Sequence, residues 1–234
     1  MDEPSPCRPG TYGNTTGLRR PDDCTPCPPG SYCATEGLTG PTEECDEGYY
    51  CLEGSSSPAP ADLSAPLSSQ PTPFGGLCPP GGFCPRGSSR PESCQSGTFS
   101  NVTGAADDTV CRPCPGGFFC QGSSLPFPSG PCSPGFFCPE GSESATAEIA
   151  PQGTFTDGGD PAPIPCPPGT FNNVQQRASC FPCPAGRFCN DTGTINPPIC
   201  PEGSYCLEGT AEPPFCARGT YSNREGLQNA TECT

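Results

Sequence analysis

The sequence has no histidine and no tryptophan, and it has only one methionine in 234 residues. The absence of histidine excludes every mechanism that uses an imidazole as base, acid or metal ligand. Leucine, isoleucine, valine and phenylalanine contribute 29 residues, about 12% of the chain, which is well below what a conventional hydrophobic core needs. No apolar run approaches the roughly 18 residues of a membrane span. We therefore expect no enzyme, no catalytic residue, no metal or cofactor, and no direct membrane insertion.

Basic residues are also scarce: the chain has 10 lysines and arginines against 25 aspartates and glutamates, which gives a net charge of -15. A nucleic-acid backbone repels such a surface, and no basic patch is present to release its counterions. We expect no nucleic-acid partner, and the charge suits a well-hydrated extracellular surface.

Proline, glycine and cysteine dominate, with 37, 31 and 22 residues. This much proline and glycine is usual for disordered chains, but so many cysteines indicate a disulfide scaffold formed in an oxidising compartment. We predict a small disulfide-rich fold: an elongated tandem array of cysteine-rich modules, with short β-hairpins and little regular secondary structure. The expected location is extracellular or at the cell surface.

The first residues, Met1-Asp2-Glu3-Pro4, do not form a secretory signal. Because 22 cysteines need an oxidising compartment, we expect the sequence to be part of a longer secreted chain. The last repeat stops at Thr234, where the other copies continue, so further modules are expected to follow.

One repeated motif is a long segment that begins Cys-x2-Gly-Thr, continues with Tyr or Phe, one further residue and Asn, and closes at a second cysteine. It predicts four disulfides: Cys7–Cys24, Cys94–Cys111, Cys166–Cys180 and Cys216–Cys233. The glycine allows positive φ, Thr and the aromatic favour a short strand, and Asn suits a left-handed turn. We expect a small hairpin clamped by each of these disulfides.

A second motif is Cys-x5-Cys, with a central glycine and an aromatic residue before the last cysteine. Its seven copies are Cys27–Cys33, Cys45–Cys51, Cys78–Cys84, Cys114–Cys120, Cys132–Cys138, Cys183–Cys189 and Cys200–Cys206. The two motifs together use all 22 cysteines, so no free thiol is expected. The short motifs can close on themselves or pair crosswise, as Cys27–Cys45 with Cys33–Cys51, although Cys78–Cys84 favours closing on itself.

Aromatic residues recur at fixed distances from the cysteines, and we expect each of them to stack on a neighbouring disulfide or proline in place of an aliphatic core. A carbohydrate-binding stripe is the alternative role for these residues. They are Tyr12, Tyr32, Tyr50, Phe83, Phe99, Phe119, Phe137, Phe171, Phe188, Tyr205 and Tyr221.

The motif order predicts cysteine-rich modules at residues 1–54, 78–141 and 166–209, and the start of a fourth at 210–234. Residues 55–77 and 142–165 contain no cysteine and are predicted linkers. Such linkers are either semi-rigid polyproline-type spacers or ordered loops that cover a module.

Two kinds of glycosylation site are predicted. Four asparagines stand in Asn-x-Thr sequons, and we expect N-glycosylation of at least two of them. These are Asn14, Asn101, Asn190 and Asn229. The first linker offers candidate O-glycosylation positions because its Ser-Pro, Ala-Pro and Thr-Pro pairs resemble those of hydroxyproline-rich glycoproteins. They are Ser57, Pro58, Pro60, Pro66, Thr72 and Pro73.

The motif Cys-x2-Gly-Thr-Phe/Tyr-x-Asn, a closing Cys-x2-Cys and then Cys-Pro-x-Gly-x-Phe/Tyr-Cys resembles the ephrin-receptor-like cysteine-rich repeat. That repeat is similar to the tumour necrosis factor receptor module. The resemblance covers nearly everything except the linkers, and it implies extracellular, disulfide-laddered rods with crossed pairing of adjacent short motifs. Long arrays of this repeat also resemble those in surface proteins of algae and other protists, including flagellar-hair (mastigoneme) proteins.

We therefore predict a structural extracellular glycoprotein segment, a rod-like repeat that forms or coats a filament or a cell-surface layer. Its expected partners are further copies of itself in a fibre, or other extracellular glycoproteins. The alternative is a segment of a ligand-binding receptor ectodomain.

Overall fold

The computed structural model of the chain describes residues 6–15, 20–60 and 74–234. The chain divides into two compact units. Unit 1 comprises Met1–Pro113 and Gly122–Pro128, and unit 2 comprises Cys114–Gln121 and Ser129–Thr234. Each of the eleven disulfides lies within a single unit.

Regular structure in the described residues is limited to strands of two or three residues and single turns of 3₁₀ helix. The strands of unit 1 are β1 (Thr11–Tyr12), β2 (Thr25–Pro26), β3 (Ser31–Tyr32), β4 (Glu43–Glu44), β5 (Tyr49–Cys51), β6 (Gly75–Leu77), β7 (Gly82–Phe83), β8 (Glu92–Ser93), β9 (Thr98–Phe99) and β10 (Arg112–Pro113). Those of unit 2 are β11 (Phe118–Phe119), β12 (Gly130–Pro131), β13 (Phe136–Phe137), β14 (Glu148–Ile149), β15 (Thr154–Phe155), β16 (Ile164–Pro165), β17 (Thr170–Phe171) and β18 (Phe181–Pro182). The 3₁₀ turns are Pro21–Asp23, Asp108–Val110 and Ala230–Glu232.

Consecutive strands pair two by two as antiparallel hairpins, from β1 with β2 to β17 with β18. Two isolated bridges continue the pattern, Arg187 with Ile199 and Ser204 with Phe215. The prediction of a small disulfide-rich fold with short hairpins and little regular secondary structure is confirmed.

The hairpins belong to one structural repeat that occurs twelve times. The repeat begins at the first cysteine of each sequence motif, or at Ala150 in one copy. Repeats 1 to 12 begin at Cys7, Cys27, Cys45, Cys78, Cys94, Cys114, Cys132, Ala150, Cys166, Cys183, Cys200 and Cys216. Three residues later comes a glycine, which we call the first glycine, and three residues after that comes what we call the inner position.

The inner position explains how the long and short motifs are related. In the short motifs it holds the second cysteine, which is bonded to the first residue of the same repeat, as in Cys27–Cys33. In repeats 5, 9 and 12 of the long type it holds Ser100, Asn172 and Ser222, all of them buried. The two motifs are therefore variants of one unit that differ in where the disulfide closes.

Within each unit, the backbone of each repeat is hydrogen-bonded to the next repeat in the same way. The first-glycine N–H donates to the inner carbonyl of the following repeat, as Gly10 does to Cys33 at 2.8 Å and Gly186 does to Cys206 at 2.8 Å. The carbonyl of the same glycine accepts from the first residue of the following repeat, as Gly10 does from Cys27 at 2.9 Å. These bonds satisfy backbone groups that would be costly to bury without partners, and they make a continuous ladder within each unit.

A further rung involves the residue three or four positions after the inner position, which we call the second glycine. Its N–H donates to the carbonyl oxygen of the first residue of the preceding repeat, as the Gly54 N–H does to the Cys27 carbonyl at 2.8 Å. Ser124 and Gln176 occupy this position in repeats 6 and 9, and among the described residues they are the two non-glycines with positive φ, at 59° and 61°. The repeat thus imposes the left-handed conformation even where glycine is absent.

The four long disulfides are present as Cys7–Cys24, Cys94–Cys111, Cys166–Cys180 and Cys216–Cys233. All 22 cysteines are bonded. The crossed pairing implied by the family resemblance is wrong for this structure, because each short motif closes on itself. The turn at the first glycine brings the two Cα atoms of such a motif within about 6 Å of each other, 5.9 Å for Cys27–Cys33 and 5.9 Å for Cys45–Cys51, which suits a disulfide.

The segment 142–165, a linker by its lack of cysteine, contains repeat 8 with strands β15 and β16. Ala150 and Thr156 stand at the two cysteine positions and are fully buried. Their backbone hydrogen bonds follow the ladder: the Ala150 N–H donates to the carbonyl oxygen of Gly135 at 3.0 Å, and the Thr156 N–H donates to that of Arg177 at 3.1 Å. This copy is therefore held in place by its neighbours without a disulfide of its own.

Half-cystines make up most of the core, and Leu227 is the largest buried aliphatic side chain among the described residues. The recurring aromatics lie half-buried around this core, except Tyr221, which is 58% exposed. In β6 and β12 a glycine faces the ring of its cross-strand partner, Gly76 opposite Tyr50 and Gly130 opposite Phe119. A ring that covers a glycine in this way shields backbone from water.

The expectation that asparagine makes a left-handed turn after the hairpin strand is wrong. Asn101, Asn173 and Asn223 all have negative φ, since Ser124 and Gln176 are the non-glycine residues with positive φ. The turn is instead made by the buried inner residue, whose side chain accepts a backbone N–H two residues on. Asn172 Oδ1 accepts from Val174 at 3.1 Å, and Ser100 Oγ accepts from Val102 at 3.3 Å.

Candidate functional site

In five of the twelve repeats the residue that follows the inner position is an exposed asparagine, and this asparagine is the first candidate functional feature. Asn14, Asn101 and Asn190 hold this position in repeats 1, 5 and 10, and the side chains of all three are exposed. Three of the four predicted N-glycosylation residues therefore share one structural position. Asn173 and Asn223 occupy it too, also exposed but outside any sequon. Thr16, which completes the sequon of Asn14, lies outside the described residues.

Asn229, the fourth sequon asparagine, has a different setting. It is exposed but caps the 3₁₀ turn Ala230–Glu232, where its Oδ1 accepts from the N–H of Thr231 at 3.1 Å and its Nδ2 donates to Glu232 at 3.0 Å. Asp107 holds the equivalent place four residues before Cys111, where it accepts from the N–H of Thr109 at 3.0 Å. The side chain of Asn229 thus has a capping role that the other three do not share.

The carboxyl group of Asp107 has a lowered pKa. The hydroxyl of Thr109 and, secondarily, its backbone N–H donate to this side chain and hold the pKa of Asp107 below its usual value of 3.8. Hydrogen bonds to the charged form of a carboxyl favour ionisation. The ionised carboxylate therefore caps the 3₁₀ turn Asp108–Val110, which precedes the disulfide Cys94–Cys111. The Asp107 side chain is fully exposed.

The candidate O-glycosylation residues at the start of the first linker are ordered against repeat 3. Pro58 O accepts the N–H of Asp46 at 3.0 Å, and Ser57 Oγ lies 3.2 Å from both N and O of Ala59. Ser57, Pro58 and Pro60 are half-buried. Here the linker is a loop that covers the Cys45–Cys51 disulfide, with the Pro58 carbonyl 3.1 Å from the Cys45 sulfur. Pro66, Thr72 and Pro73 lie outside the described residues.

Sequence reasoning missed a groove of about 950 Å³ in unit 1. Residues of repeats 4 and 5 line it, including Phe83, Arg90, Glu92, Gln95 and Asp108. No single motif signals this groove, because its residues come from the end of one repeat and from two separate parts of the next.

The described residues contain no group of three or more histidine, cysteine or acidic side chains arranged to hold a metal ion. They also contain no helix long and apolar enough to span a bilayer.

Eleven disulfides in a chain of this length define a cysteine-rich protein of the secreted or extracellular class. Comparison with protein-family models finds no family that matches the chain, and comparison with curated proteins finds no significant match.

Proposed function

We propose that this chain is a structural segment of an extracellular glycoprotein, whose stacked repeats form or coat a filament or a cell-surface layer. The observation that carries the proposal is the uniform ladder: successive repeats in each unit are joined by the same backbone bonds, with the first-glycine rung at 2.7–2.8 Å. The backbone of the repeats forms one regular scaffold in each unit, whereas the side chains differ from repeat to repeat. Solenoid arrays of this kind gain stability from nearest-neighbour interfaces.

Covalent closure adds mechanical strength to the scaffold. A disulfide across a loop of about 15 residues, as in the four long motifs, contributes roughly 3 kcal/mol in the chain-entropy model. The seven short motifs close smaller loops and contribute less each, and eleven repeats in all carry a disulfide. Where a disulfide closes a repeat, pulling cannot extend the residues between its two cysteines. A segment that must resist shear outside the cell benefits from this closure.

Glycans at the exposed asparagines fit the same role. The side chains of Asn14, Asn101 and Asn190 lie outside the ladder, so modification there leaves the backbone bonds intact. The resemblance to ephrin-receptor-like repeats, and to their long arrays in flagellar-hair proteins, supports this function. The partners are then further copies of the chain or other extracellular glycoproteins.

Electron microscopy of the native protein tests the proposal. The full chain, secreted from a eukaryotic host with its disulfides formed, is imaged by negative stain and its mass in solution is measured over a concentration series. Fibres or ordered layers with a regular repeat support the structural role. Single particles that stay monomeric at the highest concentration overturn self-association and favour the receptor reading, in which one face binds a protein ligand.

A further inference from the structure

The groove in unit 1 combines an aromatic surface with several unpartnered polar side chains. Phe83, half-buried in β7, lines it together with Arg90, Glu92, Gln95 and Asp108. These four polar side chains make no hydrogen bond or ion pair within the part of the chain that the structure describes. By contrast, nearby hydroxyls are occupied: Thr98 Oγ1 donates to Gln95 O at 2.7 Å and Ser88 Oγ donates to Pro85 O at 2.6 Å.

The four unpartnered side chains have similar hydrogen-bonding geometry. A guanidinium, an amide and two carboxylates are all planar groups with two adjacent donor or acceptor atoms. Such a group can bond two neighbouring hydroxyls of one sugar ring, while an aromatic ring can contact the ring's C–H face. An apolar ligand would instead remove water from four polar side chains without replacing their hydrogen bonds, which is costly.

Charge distinguishes a neutral ligand from an anionic one. The groove has two arginines, Arg86 and Arg90, and two acids, Glu92 and Asp108. Arg86 is engaged by Glu43 at 3.1 Å and by Glu44 at 3.7 Å. Arg90 is therefore the lining arginine without an ion pair, and Glu92 and Asp108 are two carboxylates in the same lining, so an anion finds no unopposed counter-charge there. On a chain of net charge -15, an anionic ligand is repelled, whereas a neutral ligand is not.

We propose that this groove binds a neutral oligosaccharide. Its volume of about 950 Å³ lies at the upper end of the roughly 300–1,000 Å³ range of ligand sites, which gives room for more than one sugar ring. The polar side chains are exposed, and water competes for their hydrogen bonds, so the affinity is on the order of millimolar. The proposal stands on the groove alone and is independent of the structural role proposed above.

The chain's own glycan must be separated from an added ligand. Asn101 lies in repeat 5, as do Gln95 and Asp108, so a glycan on it could reach the groove. An Asn101→Gln background removes that glycan and leaves the groove residues unchanged. All binding measurements use the full chain in this background, with its disulfides formed.

The test is an NMR titration of the ¹⁵N-labelled chain with mannotetraose, maltotetraose and cellotetraose, and with tetragalacturonate as the anionic comparison. At least one neutral probe should give saturable shifts at the amides of Phe83, Arg90, Gln95 and Asp108. Arg90→Ala and Gln95→Ala should each weaken that binding about five-fold, the effect of roughly one hydrogen bond. Arg218→Ala, a change at an exposed arginine of repeat 12 in unit 2, should leave it unchanged.

Three results would overturn the proposal: no saturable shift with any neutral probe, an affinity insensitive to both groove variants, or tighter binding of tetragalacturonate than of every neutral probe. Matching amide spectra for each variant outside the groove establish that the variants are folded.

Discussion

A β-carbon added to Gly10 would lie 2.4 Å from the carbonyl oxygen of Gly54, a residue that stands two repeats further along the chain. The same approach recurs between Gly30 and Gly87 at 2.4 Å, and between Gly117 and Gly159 at 2.2 Å. Real β-carbons do not tolerate such distances. At these three positions the first glycine of the repeat is therefore required by close backbone packing as well as by its positive φ.

This relationship predicts different costs for two alanine substitutions in unit 2. Gly117 and Gly141 have nearly the same φ, 87° and 83°, but a β-carbon at Gly141 meets no atom within 4 Å. Gly141→Ala should lower the free energy of unfolding by about 1–2 kcal/mol, the cost of a left-handed non-glycine residue. Gly117→Ala adds a backbone overlap, which costs about 1–3 kcal/mol more. Guanidinium unfolding of the disulfide-intact chain measures both, and equal losses would contradict the packing argument.

Repeat 8 can be cross-linked like its neighbours. In repeats 7 and 10 the two cysteine positions have Cα atoms 6.1 and 6.0 Å apart, and the ladder bonds of Ala150 and Thr156 follow the same pattern. Ala150→Cys with Thr156→Cys should form a disulfide. It should raise the free energy of unfolding by about 1–2 kcal/mol, because loop closure outweighs the lost bond from Thr156 Oγ1 to Phe136 O at 3.0 Å.

Thiol titration and intact mass establish whether this bond forms, and thermal unfolding measures the gain. The control is Ala150→Ser with Thr156→Ser, which places polar atoms at the same positions without a cross-link and should give no gain. A double cysteine variant that keeps two titratable thiols would show that repeat 8 departs from the geometry of the other copies.

The sequence was sufficient to predict the short hairpins and the long disulfides, because both follow from local spacing. Gly-Thr-Phe in front of a cysteine-rich loop predicts a strand and a turn wherever it occurs. The aromatic Phe99 and the pair Cys94–Cys111 illustrate this: each lies where the motif places it, half-buried in β9 and bonded across the hairpin.

The cysteine spacing alone could not show that the long motifs, the short motifs and repeat 8 are copies of one structural repeat. Ser100, Thr156 and Asn172 replace a half-cystine at the inner position, and they have no chemical similarity to it beyond modest size and a buried setting. The signal that could have found repeat 8 is Gly153-Thr154-Phe155, which matches Gly97-Thr98-Phe99 within a segment that has no cysteine. The ladder bonds that define the repeat join residues 13 or more positions apart, and such pairings leave little trace in one sequence.

The titration of Asp107 offers a pH prediction. Hydrogen bonds from Thr109 lower the pKa of this carboxyl below 3.8, so the folded state holds the proton less tightly than the unfolded chain. The contribution of the cap is therefore present above pH 3.8 and is lost as the pH falls through the lower folded value. Carboxyl-detected NMR should give a midpoint for Asp107 below 3.8. Thr109→Val should raise that midpoint, because the hydroxyl donor is lost, whereas Thr109→Ser keeps the donor and should hardly change it. A midpoint unmoved by Thr109→Val would contradict this cause.

The shared position of the sequon asparagines predicts where a new glycan can be added. Asn101-Val102-Thr103 and Asn173-Val174-Gln175 occupy the same place in repeats 5 and 9, and only the third residue separates a sequon from a non-sequon. In a eukaryotic secretory host, Gln175→Thr should add one glycan at Asn173, because both asparagines are exposed. Intact mass before and after peptide-N-glycosidase F counts the glycans, and Gln175→Val, which matches threonine in shape, should add none.

The reverse change in repeat 5 completes the comparison. Thr103→Val should remove the glycan of Asn101 and leave the fold unchanged, since neither side chain takes part in the ladder. If Gln175→Thr is secreted with all its disulfides but without a new glycan, exposure at this repeat position does not suffice for modification. If Asn14, Asn101 and Asn190 are all unmodified in the parent chain, the expectation of at least two N-glycans fails, because Asn229 is the one sequon asparagine that remains.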